Sequence, residues 1–121
     1  MRLTFLLIFF LYVLFFISSI VYGQLEITEV MFNPEDGNEW IEIYYNGTEP
    51  LSIEGLKIKD NYATDEIVCC NECSFTISPK SYFLVFDKDT TYNIIGMAFC
   101  VDDNAIGNGL GNNGDNIALL F

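Results

Sequence analysis

Beyond residue 23 the chain alternates apolar and polar side chains in short runs, and each run ends in turn chemistry. Apolar Ile41, Ile43 and Tyr45 alternate with Glu42 and Tyr44, a period of two that predicts a strand with Ile41 and Ile43 on its core face. Leu25 to Phe32 predicts a second strand. Asn33-Pro34-Glu35-Asp36-Gly37 joins the two as a hairpin turn, because proline fixes φ and Asp-Gly accepts positive φ at little cost. Leu25, Ile27, Val30 and Phe32 do not hold one parity. The apolar face changes sides between Ile27 and Val30, which predicts a bulge near Thr28-Glu29.

The same reading continues along the chain. Asn46 to Pro50 is a loop by composition. Leu51, Ile53, Leu56 and Ile58 predict one short strand, or two with a kink at Gly55; Leu56, Ile58 and Asp60 keep one parity and Lys57 and Lys59 face out. Asn61 to Glu66 is polar and reads as a loop. Phe75 and Ile77 alternate before a turn at Ser78-Pro79-Lys80-Ser81. Tyr82 to Phe86 is almost wholly apolar and reads as an interior strand covered on both faces. Met97 to Val101 is a further strand, Asp102 to Asp115 is too rich in glycine and asparagine for a regular element, and Asn116 to Phe121 closes with Ile117, Leu119 and Phe121 on one face. No stretch after residue 23 has a helical period. Short strands at regular spacing predict an all-β, antiparallel sandwich.

The first 23 residues have a different character. Met1-Arg2 is followed by an apolar run from Leu3 to Ile17 broken only by Thr4, then by Ser18-Ser19-Ile20-Val21-Tyr22-Gly23. Charged start, apolar middle and small residue at the end are the pattern of a secretory signal peptide cleaved after Gly23. The rival is an uncleaved membrane anchor, since residues 3–21 approach the roughly 20 apolar residues a membrane helix needs. Either way residues 24–121 are expected outside the cytoplasm, as one domain.

Charge narrows the partners. The chain has 17 acidic residues against five basic ones, a net charge of −12. Without Arg2 the only cations are Lys57, Lys59, Lys80 and Lys88, so phosphate backbones and anionic lipid are repelled and nucleic acid is an improbable partner unless those lysines converge. Four cysteines, Cys69, Cys70, Cys73 and Cys100, all lie in the exported part, and an oxidising compartment would make of them two disulfides in one of three pairings. At least one bridge from the Cys69 to Cys73 cluster to Cys100 is expected, closing a loop of about thirty residues and contributing on the order of 3 kcal/mol. An all-cysteine zinc site is the alternative, against which stand the adjacent Cys69-Cys70, the lack of histidine and the export.

Candidate chemistry is sparse. Histidine is absent and no serine sits in a glycine elbow, so the usual nucleophilic machinery is missing. Gly107 to Gly114 follows no strand-to-helix unit and contains no lysine, which argues against a phosphate cradle. Glu39 and Glu42 flank Trp40 and could serve as an acid–base pair or bind a cation, but read better as structural. Asp102, Asp103 and Asp115 are weak candidate calcium ligands: against an EF-hand loop starting at Asp102, Ile106 occupies a ligand position and Asn113 replaces the bidentate glutamate. Asn46-Gly47-Thr48 matches the N-glycosylation acceptor pattern and equally suits a tight turn. Tyr44, Tyr45, Tyr62, Tyr82 and Tyr92 could furnish a binding face, and read better as rings that fill or rim the core.

The ordered set Ile27 to Pro34, Glu39 to Tyr44, Leu51 to Asp60, Ile77 to Phe86 and Leu110 to Leu119 resembles the lamin-tail domain, an immunoglobulin-like β-sandwich of nuclear lamins and of many exported bacterial and archaeal proteins. The resemblance covers nearly all of the exported part and implies a non-catalytic module for interaction or structure at the cell surface or beyond, with an unnamed protein or cell-envelope partner and no cofactor. It also implies that a carboxylate beside the tryptophan bonds loop backbone or sits at the sheet surface. The cysteine cluster is an addition to the family pattern. Relatives continue past the position of Phe121 with a turn and one more strand, so the sandwich is expected to lack its last strand and to leave Asn116 to Phe121 as an edge without that expected neighbour. Alternatives are a calcium-stabilised structural module and the N-terminal part of a larger exported hydrolase or nuclease.

Overall fold

The computed structural model describes residues 24–35, 38–87, 96–111 and 114–121. The leader, the Asp36-Gly37 step, Lys88, Tyr92 and Asn112-Asn113 lie outside them. Nine strands follow in order: β1 (Leu25–Met31), β2 (Trp40–Tyr45), β3 (Leu51–Ser52), β4 (Lys57–Lys59), β5 (Thr64–Val68), β6 (Thr76–Ile77), β7 (Ser81–Phe86), β8 (Ala98–Val101) and β9 (Ala118–Leu120). Seven form a sheet in the order β1-β2-β7-β8-β5-β4-β9, and β3 pairs with β6 apart from it. Ile41, Ile43, Phe83, Val85, Phe99 and Val101 pack with Ile53, Ile58, Ile67 and Ile77 in a single core, an immunoglobulin-like sandwich. Among the described residues no helix is long and apolar enough to cross a membrane.

The period-two runs fold as their parity requires. Ile41, Ile43 and Tyr45 point into the core while Trp40, Glu42 and Tyr44 point away. β1 pairs antiparallel with β2, and the register slips between Ile27 and Glu29, where the apolar face changes sides in the sequence. Gly55 at φ 81 divides β3 from β4 and sends them to different sheets.

Several expectations are corrected. Thr64 to Glu66, read as loop, belongs to β5, because its backbone completes a ladder with β4 in which Lys57 faces Glu66. The polarity that hid this strand has a specific cause: Asp65 points inward as an acceptor for another loop. The sheet is not wholly antiparallel. β7 and β8 run parallel, with Val85 opposite Phe99. β7 is covered on both faces only toward its end: Phe86 is buried, but Tyr82 is 55% exposed. β9 pairs with β4 through Leu119 opposite Ile58 and is the end strand of the sheet, as the expectation of a terminal edge has it. Ile117 and Leu119 pack against the core, whereas Phe121 is 77% exposed.

Candidate functional site: an acid-braced glycine loop

The loop after β8 contains glycines in left-handed conformations, Gly107 at φ 64 and Gly109 at φ 93. Such a loop cannot pair its own amides in a ladder, and buried amides must find acceptors. Three carboxylates from distant parts of the chain and one from nearby Asp115 supply them. Asp65 in β5 accepts the Gly107 N–H at 2.5 Å. Asp60, just after β4, accepts Asn108 N–H at 3.0 Å through Oδ2 and both Tyr62 and Ala63 N–H at 2.7 Å through Oδ1. Glu39, just before β2, accepts the Leu110 N–H at 3.1 Å with each oxygen. Asp115 accepts Gly111 N–H at 2.5 Å. Glu39 is itself fixed at the backbone, its N–H donating to Asp87 Oδ2 at 3.0 Å. Four carboxylates, placed before β2, after β4, within β5 and before β9, are thus tied to one segment of backbone.

The charges of this brace are unevenly stabilised. Burial pushes the Glu39 carboxyl above its ordinary range, partly offset by the Leu110 N–H, and the charges of Asp87 and Asp115 push further up. Asp65 is likewise raised, first by burial and then by Asp103, Asp102 and Asp60, against the lowering effect of Gly107 N–H. Burial also works against the Asp60 carboxylate, but its backbone donors outweigh that and hold it below its usual range.

Beside the braced loop lies an apolar groove of about 230 Å³, lined by Val30, Phe32, Leu110 and Ile117 together with Gly111, Gly114 and Asp115. Its chemistry is that of a seat for an apolar side chain. The carboxylates around it serve as acceptors for backbone amides.

The residues singled out in the sequence are scattered over this frame. Asp115 lies in the brace. Asp102 Oδ1 instead accepts Glu66 N–H at 3.0 Å and Asp103 Oδ1 accepts Ala105 N–H at 3.0 Å, and among the described residues no three acidic or cysteine side chains stand together so as to hold a metal ion. Glu42 is separate from Glu39, accepting the Thr28 hydroxyl at 2.8 Å. Disulfides join Cys69 to Cys73 and Cys70 to Cys100, which leaves no thiolate for zinc. Asn46 is exposed, with its backbone and side-chain oxygens both accepting from Lys80 Nζ. Among the described tyrosines, only Tyr45 is a core ring, its hydroxyl donating to the Glu49 carbonyl at 2.8 Å. Tyr44 is half-buried, while Tyr62 and Tyr82 are exposed. Sequence reasoning missed Asp60 and Asp65 as acceptors. The signal was present in Asp60, which continues the inward parity of Leu56 and Ile58 and so had to be buried with partners.

Glu39, adjoining the single tryptophan and bonded to loop backbone, is the arrangement implied by the lamin-tail resemblance. The model of the lamin tail domain family matches residues 18–121. The chain belongs to the lamin tail domain family. No curated protein and no solved structure matches it. The lamin tail domain is an immunoglobulin-like, non-catalytic module of interaction or structure, and here the brace ties its glycine loop to β2, β4 and β5.

Proposed function

We propose that this lamin tail domain is an exported, non-catalytic interaction module that works at the cell surface or outside the cell. The observation that carries this reading is the pairing of all four cysteines, Cys69 with Cys73 and Cys70 with Cys100, inside an otherwise ordinary sandwich. Structural disulfides persist in oxidising compartments and are rare in reducing ones. Commitment of Glu39, Asp60, Asp65 and Asp115 to backbone amides supports the non-catalytic part: such groups hold a surface in shape and are poorly placed to exchange protons with a substrate. Fractionation of the producing cells, with a thiol count and a mass on the recovered chain, tests the proposal. It predicts an exported product without reactive thiols whose mass reflects either cleavage after Gly23 or retention of the leader. A cytoplasmic product with four titratable thiols, or hydrolytic turnover that copurifies with the chain, would overturn it.

A further inference from the structure

The face of the main sheet that points away from the core is not a simple polar surface. Cross-strand register builds it in rows. Glu26 lies opposite Tyr44, and Tyr44 opposite Tyr82. In the next row Glu29 faces Glu42, Glu42 faces Leu84, and Leu84 faces Ala98. The row beyond is closed over, with Phe86 and Cys100 buried. The first two rows remain accessible: Glu26, Glu29 and Tyr82 are exposed, and Tyr44, Glu42 and Leu84 are half-buried. Tyr44 and Tyr82 have ring centroids 4.7 Å apart and planes inclined at 35°, which makes them one continuous aromatic surface.

We infer that this face binds an extended basic segment of a partner protein, an arginine or lysine side chain lying across the Tyr44 and Tyr82 rings with its charge toward Glu26 and Glu42. The inference rests on the reading of the chain as an interaction module and gives that module its partner chemistry. Aromatic faces attract cations through their quadrupole, and the attraction grows where water is displaced. Carboxylates one strand over and one row along provide the counter-charge, with Glu42 held by the Thr28 hydroxyl. Half-buried Leu84 and Ala98 offer an apolar track for the aliphatic stem of such a side chain. The field of the whole molecule selects the sign of the partner. A net charge of −12 concentrates cations at the surface and repels nucleic acid, anionic lipid and a second copy of the same chain. A neutral oligosaccharide could stack on the same rings but would draw nothing from the glutamates.

The test is a titration of the disulfide-bonded full chain with a capped, alternating Arg–Val hexapeptide, read from the ring resonances of Tyr44 and Tyr82. A Glu–Val hexapeptide and cellohexaose are run beside it. Expected are shifts of both rings with the arginine peptide alone, weakened by added salt. Affinity should fall by roughly tenfold in Tyr82→Ser, the scale of a lost cation–ring contact, and should fall in Glu42→Gln as well. Unchanged amide resonances of Ile41 and Val85 show that each variant is folded. Shifts confined to other parts of the chain, equal response to the glutamate peptide, a response to cellohexaose only, or no response to any probe would each overturn the inference. None of these outcomes touches export or the absence of turnover, on which the functional reading is judged separately.

Discussion

At the scale of single residues, the stability of this domain depends on where backbone amides find acceptors. Asp60 is nearly fully buried and takes three backbone N–H groups, so removing its carboxylate strands several donors at once. Asp60→Ala should cost about 2–4 kcal/mol, and Glu39→Ala, which strands only Leu110 N–H, about 1–2 kcal/mol, both read as shifts in urea midpoint. Equal effects would show that the number of stranded N–H donors does not set the loss. Gly107 gives an independent check. Its φ of 64 disfavours any side chain, and a Cβ there would meet the Asp60 carboxyl group. At Gly55 φ is 81 but nothing lies within 4 Å of the added carbon. Gly55→Ala should therefore show only the backbone penalty, about 1 kcal/mol, and Gly107→Ala a clearly larger loss, because Asp60 must also move.

At the scale of elements, the two disulfides do unequal work. Cys70–Cys100 spans 30 residues of sequence and joins β8 to the end of β5, whereas Cys69–Cys73 closes a loop of separation 4. Chain-entropy reasoning gives about 3–4 kcal/mol for the long bridge and about 2 for the short one. Replacing Cys70 and Cys100 together by alanine should lower the urea midpoint more than replacing Cys69 and Cys73, and the reverse order would contradict the loop argument. The elements also show what a period-two reading can reach. It placed β2, the β1 bulge and the break at Gly55, because each depends on side-chain parity or on glycine, which are local properties. It failed at β5, where Asp65 breaks the apolar alternation to serve a loop some forty residues away, and at the β7–β8 pair, where no local pattern distinguishes parallel from antiparallel. The brace was half legible: the family resemblance pointed to Glu39, and inward parity marked Asp60, but the matching amides at Asn108 and Leu110 are set by tertiary structure.

At the scale of the whole molecule, the excess of acid makes stability a function of pH whose sign follows from the brace. Glu39 and Asp65 have folded-state affinities for protons above the ordinary values of 4.5 and 3.8, so the folded state binds those protons more tightly than the unfolded chain does. Their contribution is complete below the unfolded values and is lost as pH rises through the raised ones. Asp60 works in the opposite sense. Its affinity lies below 3.8, so its contribution is present above that value and is lost as pH falls through the lowered one. Acidification from neutrality should therefore first raise the urea midpoint, helped by relief of repulsion among the 17 acidic residues, and then lower it once Asp60 takes a proton. The optimum falls below neutrality and above the depressed Asp60 value. Two variants separate the limbs. Glu39→Gln keeps an acceptor for Leu110 N–H but cannot titrate, so it should flatten the rise. Asp60→Asn should weaken the fold at neutral pH and flatten the acid fall. A midpoint that declines steadily from neutral pH downward in the parent chain would show that Glu39 and Asp65 are not held in the desolvated positions assigned to them.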